Sequence, residues 1–105
     1  MEIPQIQIHQ AKKKLDQKES VFVDIRDPGS YHAAHIPGAL HLHDANVQEF
    51  IQNTDKKTPV VVYCYHGNSS LGATAYLIEN GFKNVASMSG GFEAWRQVYE
   101  HEAGE

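Results

Sequence analysis

The chain is poor in cysteine, in long apolar runs and in clustered positive charge, and each shortage removes a class of function. A single cysteine, Cys64, cannot close an internal disulfide, which suits a reducing compartment. No apolar segment approaches the roughly 20 residues that a membrane-spanning helix needs. The opening "MEIPQIQIHQ" lacks the basic start and apolar stretch of an export signal, so a cytoplasmic protein with no membrane partner is expected. Among nine basic residues the one cluster is Lys12-Lys13-Lys14, beside Asp16 and Glu19, and the net charge is −4. That pattern describes a solvated helix face and offers no footprint for nucleic acid. No Gly-x-x-x-x-Gly-Lys run is present, which removes a nucleotide triphosphatase of that type. Internal repeats, linkers and low-complexity segments are missing as well.

What remains is a pattern of short apolar runs alternating with segments of helical period. With 105 residues and 41% hydrophobic content the chain fits one domain, 1–105, with its core over about 17–100 and a frayed charged tail, "EHEAGE". Strands are expected at "IQIH" (6–9), "VFVDI" (21–25), residues 39–42, "TPVVVYC" and "NVASM". Helices are expected at "QAKKKLDQK", burying Ala11 and Leu15; after an Asp44 cap, carrying Val47, Phe50 and Ile51; and at "SSLGATAYLIEN". In this last one Leu71, Ala75 and Ile78 share a face and Gly81 stops the helix. A final helix, "GGFEAWRQVY", places Phe92, Trp95 and Tyr99 at helical spacing. Pro28 and Gly29 read as breakers that leave "RDPGSYHAAH" as loop with at most one helical turn. Strands alternating with helices give an α/β domain, a mostly parallel five-stranded sheet flanked by helices on both faces.

Cys64 closes the central strand, at the rim where parallel sheets place their sites. The segment "YHGNSS" (65–70) then turns into a helix. Gly67 permits a positive φ or a close backbone approach, Asn68 tolerates a left-handed conformation, and Ser69 or Ser70 can cap the helix. Such a turn aims backbone N–H groups at the sulfur, where a helix N-terminus already favours negative charge. A free thiol with a pKa of about 8.5 is only about 3% ionised at neutral pH. A helix end contributes about 0.3–1 kcal/mol, rising to about 2 when partly buried, so with added hydrogen bonds the loop alone can ionise Cys64 substantially. The competing reading is a buried structural cysteine.

Three separated motifs carry a resemblance. "VDIRDPGSYHAAHIPGALHL" is similar to the first signature of the rhodanese domain family, with Asp24, Arg26, Tyr31, His35, Ile36, Pro37, Gly38 and Ala39 in order. "CYHGNSS" resembles that family's loop beginning at the sulfur-carrying cysteine, and "GGFEAW" resembles its closing signature. The resemblance spans residues 21–95, and within the family the chain looks most like single-domain bacterial thiosulfate sulfurtransferases. It implies a catalytic Cys64 whose persulfide is cradled by Tyr65, His66, Gly67, Asn68, Ser69 and Ser70. It implies thiosulfate as sulfur donor and cyanide, a dithiol or a thioredoxin-like protein as acceptor, without cofactor. One departure stands out. Many loops of the family carry Arg or Lys in or just after the loop, whereas here His66 is the only candidate cation and Leu71 follows. Loose binding of free thiosulfate is therefore expected, which keeps a persulfide relay from a protein partner as the alternative.

A phosphatase or arsenate reductase also uses a thiolate at a helix N-terminus, but its loop needs an arginine six residues after the cysteine, to grip the oxyanion bidentately. That position is Ser70, and the two arginines, Arg26 and Arg96, lie outside the loop. Seven histidines invite a metal reading, with His41 and His43 on one face if extended and His32 and His35 three apart. No second cysteine or glutamate set completes a ligand spacing, so structural roles and no metal are expected. Asp24, Arg26 and Asp27 read as an ion-pair and turn-capping cluster.

Overall fold

The strand segments close a sheet because their side chains alternate between two apolar layers. In the computed structural model, which describes residues 2–104, five strands run in the order β1-β5-β4-β2-β3, and every pair is parallel. They are β1 (Gln5–Ile6), β2 (Val21–Asp24), β3 (Leu40–His41), β4 (Val60–Tyr63) and β5 (Val85–Met88). Phe22, Val61, Tyr63 and Met88 point to one face and pack with Ala11, Phe92 and Trp95. Val23, Val60, Val62 and Val85 point to the other and meet Ile51, Leu77 and Phe82. Helices α1 (Ile8–Gln17) and α5 (Gly91–Trp95) cover the first face; α3 (Val47–Asn53) and α4 (Ser69–Glu79) cover the second. The short α2 (Pro28–Ala33) follows β2. Strand β4 is buried along its whole length, between β2 and β5, so its carboxyl end is held from both sides.

Several expected boundaries move, each for a local reason. "IQIH" is not one strand: β1 ends at Ile6, and Ile8 and His9 are helical because Gln10 Oε1 accepts the Gln7 N–H at 3.2 Å and starts α1 early. Pro28 and Gly29 open a helix instead of breaking the chain. Asp27 caps α2, accepting the Ser30 N–H at 3.0 Å and the Ser30 hydroxyl at 2.7 Å, and a proline at the first helical position loses no needed donor. Asp44 is not a cap; α3 begins after Asn46, whose Oδ1 accepts the His43 N–H at 2.8 Å.

In α4 the buried face is Ser70, Thr74 and Leu77, while Leu71, Ala75 and Ile78 are only half-buried. Small polar residues turn inward there because α4 packs closely on β5, and large apolar side chains take the flanks. Gly81, at φ +101°, ends the helix as expected. Helix α5 is shorter than its apolar period implies; beyond Trp95 the chain continues in turns, with the Tyr99 ring 4.9 Å from that of Trp95. The charged tail, expected to fray, is tied down over its described residues, 100–104, while Glu105 lies outside them. His35 and Glu102 exchange backbone bonds of 2.8 and 2.9 Å, and Trp95 Nε1 donates to the Glu100 carbonyl at 3.0 Å. Among the described residues no helix is long and apolar enough to cross a membrane.

Candidate active site

Cys64 is the first residue past β4, and its side chain is 6% exposed. The next three residues turn the chain sharply, which needs Gly67 at φ +97°. A Cβ on Gly67 would sit 3.0 Å from the Gly90 nitrogen and 3.4 Å from the Met88 carbonyl oxygen, so glycine answers both the dihedral and the space. The turn carries the Gly67 N–H to 3.1 Å from Cys64 Sγ, and the first turn of α4 carries the Ser70 N–H to 3.3 Å. The Ser70 hydroxyl lies 3.4 Å from the sulfur. Burial pushes the Cys64 thiol up, but the Ser70 hydroxyl and amide, the Gly67 amide and the His66 amide together outweigh it and leave the thiol below its ordinary value. All four are dipoles; none is a charged side chain.

The loop is fastened from outside by the segment that follows β5. The Phe92 N–H donates to the Cys64 carbonyl at 2.9 Å and the Glu93 N–H to the Tyr65 carbonyl at 3.0 Å. These are donors that the first turn of a helix leaves free. Such contact demands a bare Cα at Gly91, where a Cβ would fall 2.4 Å from the Tyr65 carbonyl oxygen. "GGFEAW" therefore braces the cysteine loop as well as starting a helix against the sheet.

The expected loop residues divide into two groups. Gly67 and Ser70 are buried against the sulfur, whereas Tyr65, His66, Asn68 and Ser69 are exposed around it. Asn68 is right-handed, with φ −89° and ψ −54°, and its carbonyl accepts the Leu71 N–H at 3.2 Å. Asn68 makes no side-chain cap, and neither serine is the cap: both lie inside the first turn of α4, leaving Ser70 free to face the sulfur. The Tyr65 and His66 rings are 5.2 Å apart at the mouth. Leu71 turns away toward a shallow groove with Ile3, Pro4 and Gln5.

The neighbouring strand end holds the acidic and basic residues of the first motif. Arg26 clasps the buried Asp24 carboxylate through Nη2 at 2.7 Å and Nε at 3.1 Å, and Nη2 also donates to the Ala34 carbonyl at 2.6 Å. Burial works against the guanidinium charge, yet the bond and field of Asp24 hold its pKa above the ordinary value. The guanidinium lies 4.3 Å from the centre of the Phe92 ring. This is the ion-pair and capping cluster read from the sequence. Three of the histidines make local hydrogen bonds to nearby backbone. His35 Nδ1 lies 2.7 Å from the Tyr31 carbonyl, His41 Nε2 lies 2.6 Å from the Arg26 carbonyl, and His43 Nδ1 accepts the Ala45 N–H at 3.2 Å.

One contact escaped the sequence reading. The Ser70 hydroxyl is 2.6 Å from that of Ser87, a fully buried residue of β5. The signal available was a serine in the apolar strand "VASM", which must find a partner if it points inward.

A family model described as Rhodanese-like domain matches residues 7–98. The thiosulfate sulfurtransferase GlpE of Pseudoalteromonas translucida is 45% identical over 97% of this chain and 97% of its own. The thiosulfate sulfurtransferase GlpE of Pseudomonas entomophila is 54% identical over 84% of this chain and 81% of its own. Among solved structures, the rhodanese-like domain of the Alr3790 protein from Anabaena sp. superposes with a TM-score of 0.85 at 27% identity, covering 98% of this chain and 80% of that one.

Proposed function

The chain belongs to the rhodanese-like domain family, and from that premise we propose that it is a thiosulfate sulfurtransferase working through Cys64. The observation that carries the reading is the sulfur at the end of β4 with the Gly67 and Ser70 N–H groups at 3.1 and 3.3 Å. The Cys64 thiolate attacks the outer sulfur of thiosulfate. The bond between the two thiosulfate sulfurs breaks, its electron pair leaves with sulfite, and Cys64 keeps a terminal sulfur that carries one negative charge. Cyanide, a dithiol or a thioredoxin-like protein then attacks that terminal sulfur and returns the thiolate. Inward amides stabilise the anion at each stage, and a dipole that is already oriented needs no reorganisation when charge arrives. Tyr65, His66, Asn68 and Ser69 form the exposed rim across which donor and acceptor enter. With one thiol in the chain, the reductant that closes the cycle comes from another molecule, which suits a reducing, cytoplasmic setting.

A relay that receives sulfur from a protein persulfide is the second reading, favoured by the absence of Lys and Arg from residues 65–71. Incubation with thiosulfate followed by intact mass measurement separates the two. Gain of one sulfur atom that is absent in Cys64→Ser and reversed by cyanide supports the sulfurtransferase. No gain from thiosulfate, with gain from a persulfide donor, supports the relay.

A further inference from the structure

Behind Cys64 lies a chain of three groups: Sγ, the Ser70 hydroxyl at 3.4 Å, and the Ser87 hydroxyl 2.6 Å beyond it. Both serines are fully buried, Ser70 on α4 and Ser87 on β5. Among the described residues the Ser87 hydroxyl makes no other hydrogen bond. The proton count in this chain depends on the state of the sulfur. As a thiol, three X–H groups share two links, so one proton points at nothing. As a thiolate, two O–H groups fill two links, each donated toward the charge, and none is left over. Ionisation removes the one unmatched X–H group, so the pair favours the charged sulfur and has one low-energy orientation when it is present.

We propose that Ser87 is a positioning residue of the sulfur site, donating its hydroxyl to Ser70 Oγ and so turning the Ser70 proton onto Cys64 Sγ whenever the sulfur is charged. Ser87 touches neither sulfur nor substrate; its whole effect passes through Ser70. The same orientation serves the resting thiolate, because a donor locked in place stabilises the charge more than one free to rotate. The inference rests on the reading of Cys64 as a working thiolate but needs no particular sulfur donor.

The test is the pH profile of Cys64 alkylation by iodoacetamide, which reports the thiolate and involves no sulfur transfer. In Ser87→Ala the midpoint moves up by about half a unit, so that alkylation well below the midpoint slows about threefold. Ser87→Thr keeps the hydroxyl and restores a midpoint near that of the unmodified protein. Removing Ser70 first cancels the effect: Ser70→Ala and the double variant with Ser87→Ala share one midpoint. Should Ser87→Ala fail to fold, Ser87→Val, which has the shape of threonine without its hydroxyl, reads the same way. An unmoved midpoint in the hydroxyl-free variant, an equal shift in Ser87→Thr, or a further shift on top of Ser70→Ala each overturns the proposal. If the sulfurtransferase reading alone is wrong, thiosulfate adds no mass to the unmodified protein while these midpoints still behave as stated.

Discussion

At the carboxyl end of β2, Asp24 and Arg26 neutralise each other side chain to side chain; at the end of β4, where Tyr63 pairs with Asp24, Cys64 faces only main-chain amides and a hydroxyl. Phe92 serves both ends, its ring under the Arg26 guanidinium and its N–H on the Cys64 carbonyl. The first end is closed. The Arg26 Nε and Nη2 donors are spent on Asp24 and the Ala34 carbonyl, which ties the turn into α2. The second end is open. Its donors converge on the Cys64 sulfur, and residues 65–71 bring no lysine or arginine side chain beside them. A buried charge matched by a side chain supports the fold, whereas one held by backbone dipoles stays available for chemistry.

The comparison breaks most visibly if the closed end is opened. Asp24→Asn strands a buried guanidinium and lowers stability by about 3–5 kcal/mol, read as the denaturant midpoint. Cys64 in the molecules that remain folded keeps its alkylation midpoint, because Asp24 makes no bond to the loop. A shift as large as that of Ser70→Ala would show that the two ends are one electrostatic unit. Next in size is Gly67→Ala, which forces a side chain into φ +97° and against the Gly90 nitrogen at 3.0 Å. It costs about 1–3 kcal/mol of local strain and, by displacing the Gly67 amide, lowers turnover by about tenfold or more.

Ser70→Ala follows, raising the thiolate midpoint by about one unit through loss of one hydrogen bond to the sulfur. The same depressed pKa links to stability with a definite sign. Folding favours loss of the Cys64 proton, so the contribution is complete above the unfolded-state value and disappears as pH falls through the native one. The unmodified protein accordingly gains stability over Cys64→Ala on passing from neutral to mildly alkaline pH in a denaturant titration. The smallest effect is expected from Leu71→Lys. It lowers the thiosulfate KM by about threefold or less, because Leu71 lines the groove with Ile3 and Pro4 and an exposed lysine is screened. An unchanged or raised KM would place thiosulfate recognition wholly in the amides.

The sheet was legible because strands buried on both faces appear as unbroken β-branched runs, as "VVVY" does. The position of Cys64 followed from where such a strand stops, and Gly67 from the turn that had to follow. The bounds of the shortest helices were not legible from periodicity. Proline opened α2 instead of ending a strand, and α5 stopped at Trp95 although its apolar period continues to Tyr99. The inward face of α4 was not legible for a related reason. Hydrophobic spacing favours Leu71 and Ile78, but close packing on β5 selects Ser70 and Thr74, and that choice appears only when the two elements meet. Ser87 was hidden in the same way, since a hydroxyl in an apolar strand announces a partner without saying which one.

The most direct measurement is a thiolate titration of the protein by its absorbance near 240 nm, with Cys64→Ser as the blank, repeated in His66→Gln and at high salt. If amide and hydroxyl dipoles hold the charge, the midpoint lies well below that of a free cysteine, survives the loss of the imidazole and is insensitive to salt. A midpoint at or above the free-cysteine value, or one that rises toward it in His66→Gln or with added salt, contradicts the account.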